Sequence, residues 1–165
     1  LLEAARDRGV SIGFDAIAHG LTDAEWPARL ERIDLEDGRS VLIDAAHNAD
    51  GAAALARYLA RWHSEKPPLV FAAMRDKDVD GILRALLPVV GRVFVTAPAI
   101  ARAEAPDVLA ARVRALDPER DVLVEMDPGE AVVRAIAGAP LACIAGSIFL
   151  AGAVREALRR RAILP

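Results

Sequence analysis

From Asp44 onward, short apolar runs alternate with longer segments of helical spacing, and this alternation limits what the chain can fold into. The apolar runs cover residues 41–43, 69–72, 93–96, 122–124 and 141–145. Between them, Ala52, Leu55, Ala56, Leu59 and Trp62 share one helical face. Ile82, Leu83, Leu86 and Leu87 share another, and Pro88 ends that helix because proline lacks the amide the next turn needs. A third helix starts at Pro106, a favoured first-turn position, and carries Leu109, Val113 and Leu116. A fourth covers 128–137 with Gly138 as its stop, and a last one buries Leu150, Val154, Ala157 and Leu158. Strand–helix units of this length connect parallel strands, so both faces of the sheet should be covered.

Ahead of this alternation, residues 30–35 and 40–43 flank Glu36-Asp37-Gly38-Arg39. An Asp-Gly pair between apolar runs reads as a hairpin, adding one antiparallel strand. The expectation is an α/β fold: a three-layer α/β/α, Rossmann-like domain of about six mostly parallel strands. Alanine dominates the apolar residues and only 4% of residues are aromatic, which favours helices on a sheet over a β-sandwich. Leu2 to Arg8 looks helical and Gly9 stops it, whereas 10–21 shows no clean period. Residues 1–22 are therefore read as a tail or linker, and 23–165 as the domain.

Several function classes fall away. A net charge of −3 gives no basic face for nucleic acid, and Arg155, Arg159, Arg160 and Arg161 suit the negative end of a helix dipole. No apolar run reaches the ~18 residues of a membrane span, and no signal-like start is present. Cys143 is the sole cysteine, sits in an apolar run and fits a packing role in a reducing compartment, so a cytoplasmic location is expected. His19, His47 and His63 lie far apart without cysteine partners, so no metal site is expected in the chain. It carries no G-x-G-x-x-G after a strand and no G-x-x-x-x-G-K-[ST] phosphate loop. Opening on Leu1 rather than methionine, it is read as part of something longer.

In an open parallel sheet ligands bind beyond the carboxyl ends of the strands, so chemistry is sought there. Asp44-Ala45-Ala46-His47-Asn48 follows the run 41–43. A carboxylate at Asp44 can accept both hydroxyls of a ribose, and Asn48 can cap the next helix, whose free amides favour an anion. On composition alone the simpler reading leads: Asp44 and Asn48 serve only as turn and cap residues, with His47 a surface histidine. Gly146-Ser147 follows the run 141–145; the glycine allows close backbone approach, and Ser147 either caps the last helix or holds a carboxylate. Asp76-Lys77-Asp78 reads as a solvated charged turn and Arg102 as a surface arginine.

Four stretches stand in an order and spacing that resemble the folylpolyglutamate and dihydrofolate synthases of the Mur ligase superfamily. They are Trp26-Pro27-Ala28-Arg29-Leu30-Glu31, Leu42-Ile43-Asp44-Ala45-Ala46-His47-Asn48, Met74-Arg75-Asp76-Lys77-Asp78 and Ala145-Gly146-Ser147-Ile148-Phe149-Leu150. The resemblance implies the C-terminal domain of a two-domain, ATP-dependent ligase, with 1–22 as the end of the N-terminal domain and the linker. That N-terminal partner domain would bring the phosphate loop and the Mg2+ ligands. The substrate carboxylate, of dihydropteroate or a folate, would become an acyl phosphate that the amine of L-glutamate attacks. Arg29 and Asp44 match the family's ATP contacts, and His47 and Ser147 match positions tied to glutamate and domain closure. The family usually has glycine where Ala28 stands and proline where Ala49 stands; neither departure removes a charge. Two rivals remain: a ligase of peptidoglycan precursors, which shares the Arg and Asp, and a non-catalytic α/β module that binds a partner protein.

Overall fold

The computed structural model describes residues 2–24 and 26–161; Leu1 and 162–165, the outer ends of the expected linker and domain, lie outside them. Two helices come first, α1 (Leu2–Asp7) and α2 (Phe14–Thr22). The hairpin follows as β1 (Glu31–Asp34) and β2 (Ser40–Ile43), antiparallel with Asp34 opposite Ser40. Then come α3 (Ala49–Trp62), β3 (Leu69–Phe71), α4 (Val79–Leu86), β4 (Val93–Val95), α5 (Pro106–Leu116), β5 (Val122–Val124), α6 (Pro128–Ala137), β6 (Leu141–Ala145) and α7 (Ile148–Arg160). The six strands form one sheet in the order β1-β2-β6-β3-β4-β5, parallel except at the β1–β2 hairpin.

Each strand feeds both faces because successive side chains point to opposite sides. Leu42, Leu69, Phe71, Val93, Val95 and Cys143 pack with α3, α4 and α5. Val41, Ile43, Val70, Phe94, Ala142 and Ile144 pack with α6 and α7. The division follows from topology. From β2 the chain steps past a gap to β3, then to β4 and β5, always in one direction, so a constant crossover hand puts α3, α4 and α5 on one face. It then returns from β5 to fill the gap with β6, which sends α6 to the other face. The helices after β2 and β3 thus leave on one side and the helix after β6 on the other. A crevice opens at the carboxyl rim where they part.

Three expectations need correction. Residues 14–22 are helical rather than an unpatterned tail: Phe14, Ile17, Ala18 and Leu21 do recur at helical spacing, although none is buried. Phe14 is 79% exposed, so no core packing among the described residues accounts for this helix. Trp62 shares the face of Ala52, Leu55 and Leu59 in sequence but is 63% exposed, whereas those three are buried. Arg155 does not serve the C-terminal dipole of α7; it lies mid-helix and pairs with Glu31. Pro88 ends α4 as expected, through a short 3-10 turn, Leu87–Val89.

Cys143 is fully buried, and burial with the negative charge of Asp44 nearby pushes its thiol up to about 12. It stays a protonated packing group at neutral pH.

Candidate functional site

The crevice at the carboxyl rim holds a cavity of about 210 Å³. Arg29, His47, Lys77, Arg102 and Ser147 line it, with Phe149 supplying an apolar wall. These side chains come from the loops before β1 and after β2, β3, β4 and β6. The cavity is smaller than the ~300 Å³ at which pockets begin to enclose a whole small molecule, so it suits one charged end of a larger ligand. Two larger hollows, about 300 and 400 Å³, lie at the opposite rim around Lys66 and Pro140. There the strands begin, and that end of a parallel sheet is not where ligands collect.

Ser147 is the N-cap of α7: its Oγ accepts the amides of Phe149 at 3.1 Å and Leu150 at 3.5 Å. Its hydroxyl hydrogen is left to donate, beside a helix N-terminus that favours negative charge. Gly146 before it sits at φ 104°, a region side chains avoid, and a Cβ there would lie 2.3 Å from the Ala72 carbonyl oxygen. Close approach of β6 to β3 therefore requires glycine at this point. Asn48 caps α3 through Gly51 at 2.8 Å, as its sequence position suggests.

His47 is half-buried, and its Nδ1 lies 2.9 Å from the Ala45 carbonyl. A carbonyl only accepts, so Nδ1 carries the hydrogen and Nε2 is the ring nitrogen left for a ligand. Lys77 and Arg102 reach the cavity through a shared anion. Arg102 Nη2 donates to both oxygens of Asp76, at 3.0 and 3.2 Å, and Lys77 Nζ lies 3.4 Å from Oδ2. Hydrogen bonding from Arg102 holds the Asp76 carboxyl below the usual carboxylate range. Backbone bonds tie the same two loops together: Arg75 N to the Arg102 carbonyl at 3.0 Å and Glu104 N to the Ala73 carbonyl at 2.9 Å. Sequence reading left Lys77 and Arg102 on the surface; only tertiary structure brings their loops to one cavity. Asp78, the third charge of that turn, caps α4.

Arg29 is exposed on a loop with unusual backbone on either side: Ala28 at φ 58° and Leu30 at φ 47°. Left-handed backbone costs a non-glycine residue ~1–2 kcal/mol, so such a loop persists only when its surroundings hold it. Asp44 is one holder. It is buried at 8% exposure behind the cavity rather than on its wall, and its Oδ2 accepts the Leu30 amide at 2.9 Å. Three of the four expected site residues, Arg29, His47 and Ser147, thus share one cavity, and Asp44 stands behind the first. The geometry also defines a stability test at Ala28. Ala28→Gly relieves the backbone but gives up a buried methyl and adds chain entropy, so stability should change by under about 0.5 kcal/mol. Ala28→Val, β-branched at the same φ, should lose at least ~2 kcal/mol in urea midpoints.

A profile of the family described as "Mur ligase, glutamate ligase domain" matches residues 28–153, more than half of the chain. The chain belongs to that family. Within this Mur ligase family it is 39% identical over 149 residues to a probable bifunctional folylpolyglutamate synthase/dihydropteroate synthase of Halobacterium salinarum. That match covers 88% of the chain and 17% of the relative. It also matches the crystal structure of Mycobacterium tuberculosis folylpolyglutamate synthase complexed with ADP and AMPPCP. The TM-score is 0.79 at 35% identity, over 90% of this chain and 36% of that one. A further relative is the UDP-N-acetylmuramoyl-L-alanyl-D-glutamate–2,6-diaminopimelate ligase of Geobacter metallireducens, 34% identical over 93 residues. That alignment spans 54% of this chain and 17% of the ligase. The Mur ligase domain described here therefore spans a sixth to about a third of these relatives.

Proposed function

We propose that this domain positions ATP and L-glutamate within a longer ATP-dependent ligase that joins glutamate to dihydropteroate or to a folate. The single observation that carries the reading is the cavity at the switch point of the sheet, where Arg29, Lys77, Arg102 and the α7 N-terminus face one small space. Three cations, two of them sharing Asp76, leave net positive charge beside a helix N-terminus that suits a phosphate or a carboxylate, and a cavity of that volume suits the charged end of a nucleotide or amino acid. In this reading Arg29 neutralises phosphate charge and Asp44 reaches the ribose with what its carboxylate has left beyond Leu30. His47 offers Nε2 to the ammonium of glutamate, and Ser147 donates to a glutamate carboxylate. Residues 1–22 form the link to a partner domain with the phosphate loop.

The chemistry balances without a redox partner. The substrate carboxylate takes the γ-phosphoryl group of ATP and releases ADP. The glutamate amine then attacks the acyl carbon, phosphate leaves, and the amine gives up a proton. Holding amine and acyl phosphate in line is mainly proximity, a contribution that reaches ~7–11 kcal/mol in well-oriented systems. Among the described residues, no group of three or more His, Cys, Asp or Glu is placed to hold a metal ion. Mg2+ would assist phosphoryl transfer from ligands on the partner domain.

The test compares the 165-residue chain with the longer protein encoded around it. ATP-dependent incorporation of labelled glutamate into dihydropteroate or tetrahydrofolate is expected from the longer protein and not from the chain alone. Turnover by the isolated chain would remove the need for a partner domain. Turnover only with a muramyl nucleotide would move the assignment to peptidoglycan precursors, the substrate class in the name of the Geobacter relative.

A further inference from the structure

We infer that Glu31 is a positioning residue for Arg29, acting with Arg155 of α7, and that it ties the two main walls of the cavity together. The inference rests on the functional reading above for what Arg29 binds, and on geometry alone for what Glu31 holds. Arg29 hangs between two left-handed residues, and both are fastened at their amides by carboxylates. The Ala28 amide donates to Glu31 Oε2 at 2.8 Å and the Leu30 amide to Asp44 Oδ2 at 2.9 Å. The Ala28 carbonyl is held as well, accepting the Ala45 amide at 2.8 Å. Glu31 differs from Asp44 in having a second anchor, because its Oε1 pairs with Arg155. Arg155 lies on α7 two turns beyond Ser147, the cap residue that lines the cavity together with Arg29. Glu31 and Arg155 are each about four-fifths shielded from solvent, so water screens this pair less than a surface bridge. Neither residue lines the cavity.

A double-mutant cycle in the intact ligase tests the inference. Losing one backbone bond at this loop corresponds to about a tenfold change, so Glu31→Ala should raise the KM for ATP about tenfold. The KM for glutamate should stay within about twofold. Glu31→Gln keeps an acceptor for the Ala28 amide and loses the pairing charge, so it should fall between wild type and Glu31→Ala. In an Arg29→Ala background, Glu31→Ala should add less than about twofold, because a residue acting through Arg29 has nothing left to act on. Additive effects, or an unchanged KM for ATP in Glu31→Ala, overturn the positioning role. Hydrogen exchange at the Ala28 amide of the 165-residue chain supplies an arm independent of turnover. Exchange at least about tenfold faster in Glu31→Ala supports the hold on the loop, and unchanged exchange overturns it. Absence of turnover in the wild-type ligase would defeat the functional reading, and the exchange arm would still decide what Glu31 does.

Discussion

Gly146→Ala is expected to cost the domain at least about 3 kcal/mol, a sum of left-handed backbone and overpacking terms. The new Cβ would meet the Ala72 carbonyl oxygen at 2.3 Å and two ring carbons of Phe71 at 2.5 and 2.7 Å. None of these can step aside: Ala72 and Phe71 are both fully buried, and the carbonyl belongs to backbone leaving β3. The backbone at φ 104° adds its own penalty. For a domain of this size the loss corresponds to a fall in Tm of about 6–12 °C, read by calorimetry or circular dichroism. The same change at Gly152, in the interior of α7 with open space where a methyl would go, should instead stabilise by about 0.5–1 kcal/mol. A wild-type Tm in Gly146→Ala would mean that β6 and β3 do not approach as described.

The second large effect is functional. In the longer ligase proposed above, Arg29→Ala is expected to lower kcat/KM for ATP by about 10- to 100-fold, the range of a hydrogen bond to a charged group. Arg29→Lys should recover only part of it, because an ammonium lacks the planar fork. Arg57→Ala, on α3 and away from the cavity, should leave kcat/KM within about twofold. Equal losses at Arg29 and Arg57 would point to net charge, not to this loop, as the cause.

Most of the architecture was legible because the strands are short apolar runs buried on both faces, and such runs stand out between amphipathic helices. Val70 and Phe71 show the pattern, adjacent in sequence and buried in opposite layers. The hairpin was legible from Asp37-Gly38. Helix α2 was overlooked because Gly20 and a polar neighbourhood obscured the recurrence of Phe14, Ile17 and Leu21. Trp62 misled because spacing reports which face a residue is on, and not whether that position is covered. For the site, polar residues directly after strands were the useful signal, and it pointed to His47 and Ser147. Lys77 and Arg102 also follow strands, but a charged turn looks the same whether it meets solvent or another loop. The resemblance pointed to glycine at the Ala28 position, and the left-handed backbone that glycine would favour is present there with alanine. Nothing local could show that Asp44 fastens the Leu30 amide or that Arg155 anchors Glu31, because those partners lie 14 and 124 residues apart in sequence.

The enclosed thiol of Cys143 has a practical side. A chain whose one native sulfhydryl is shut inside the sheet and stays protonated needs no cysteine-free background for labelling. A fluorophore attached through Phe14→Cys would report from the leading helix alone, and a second through an engineered cysteine on α3 would give a ruler between them.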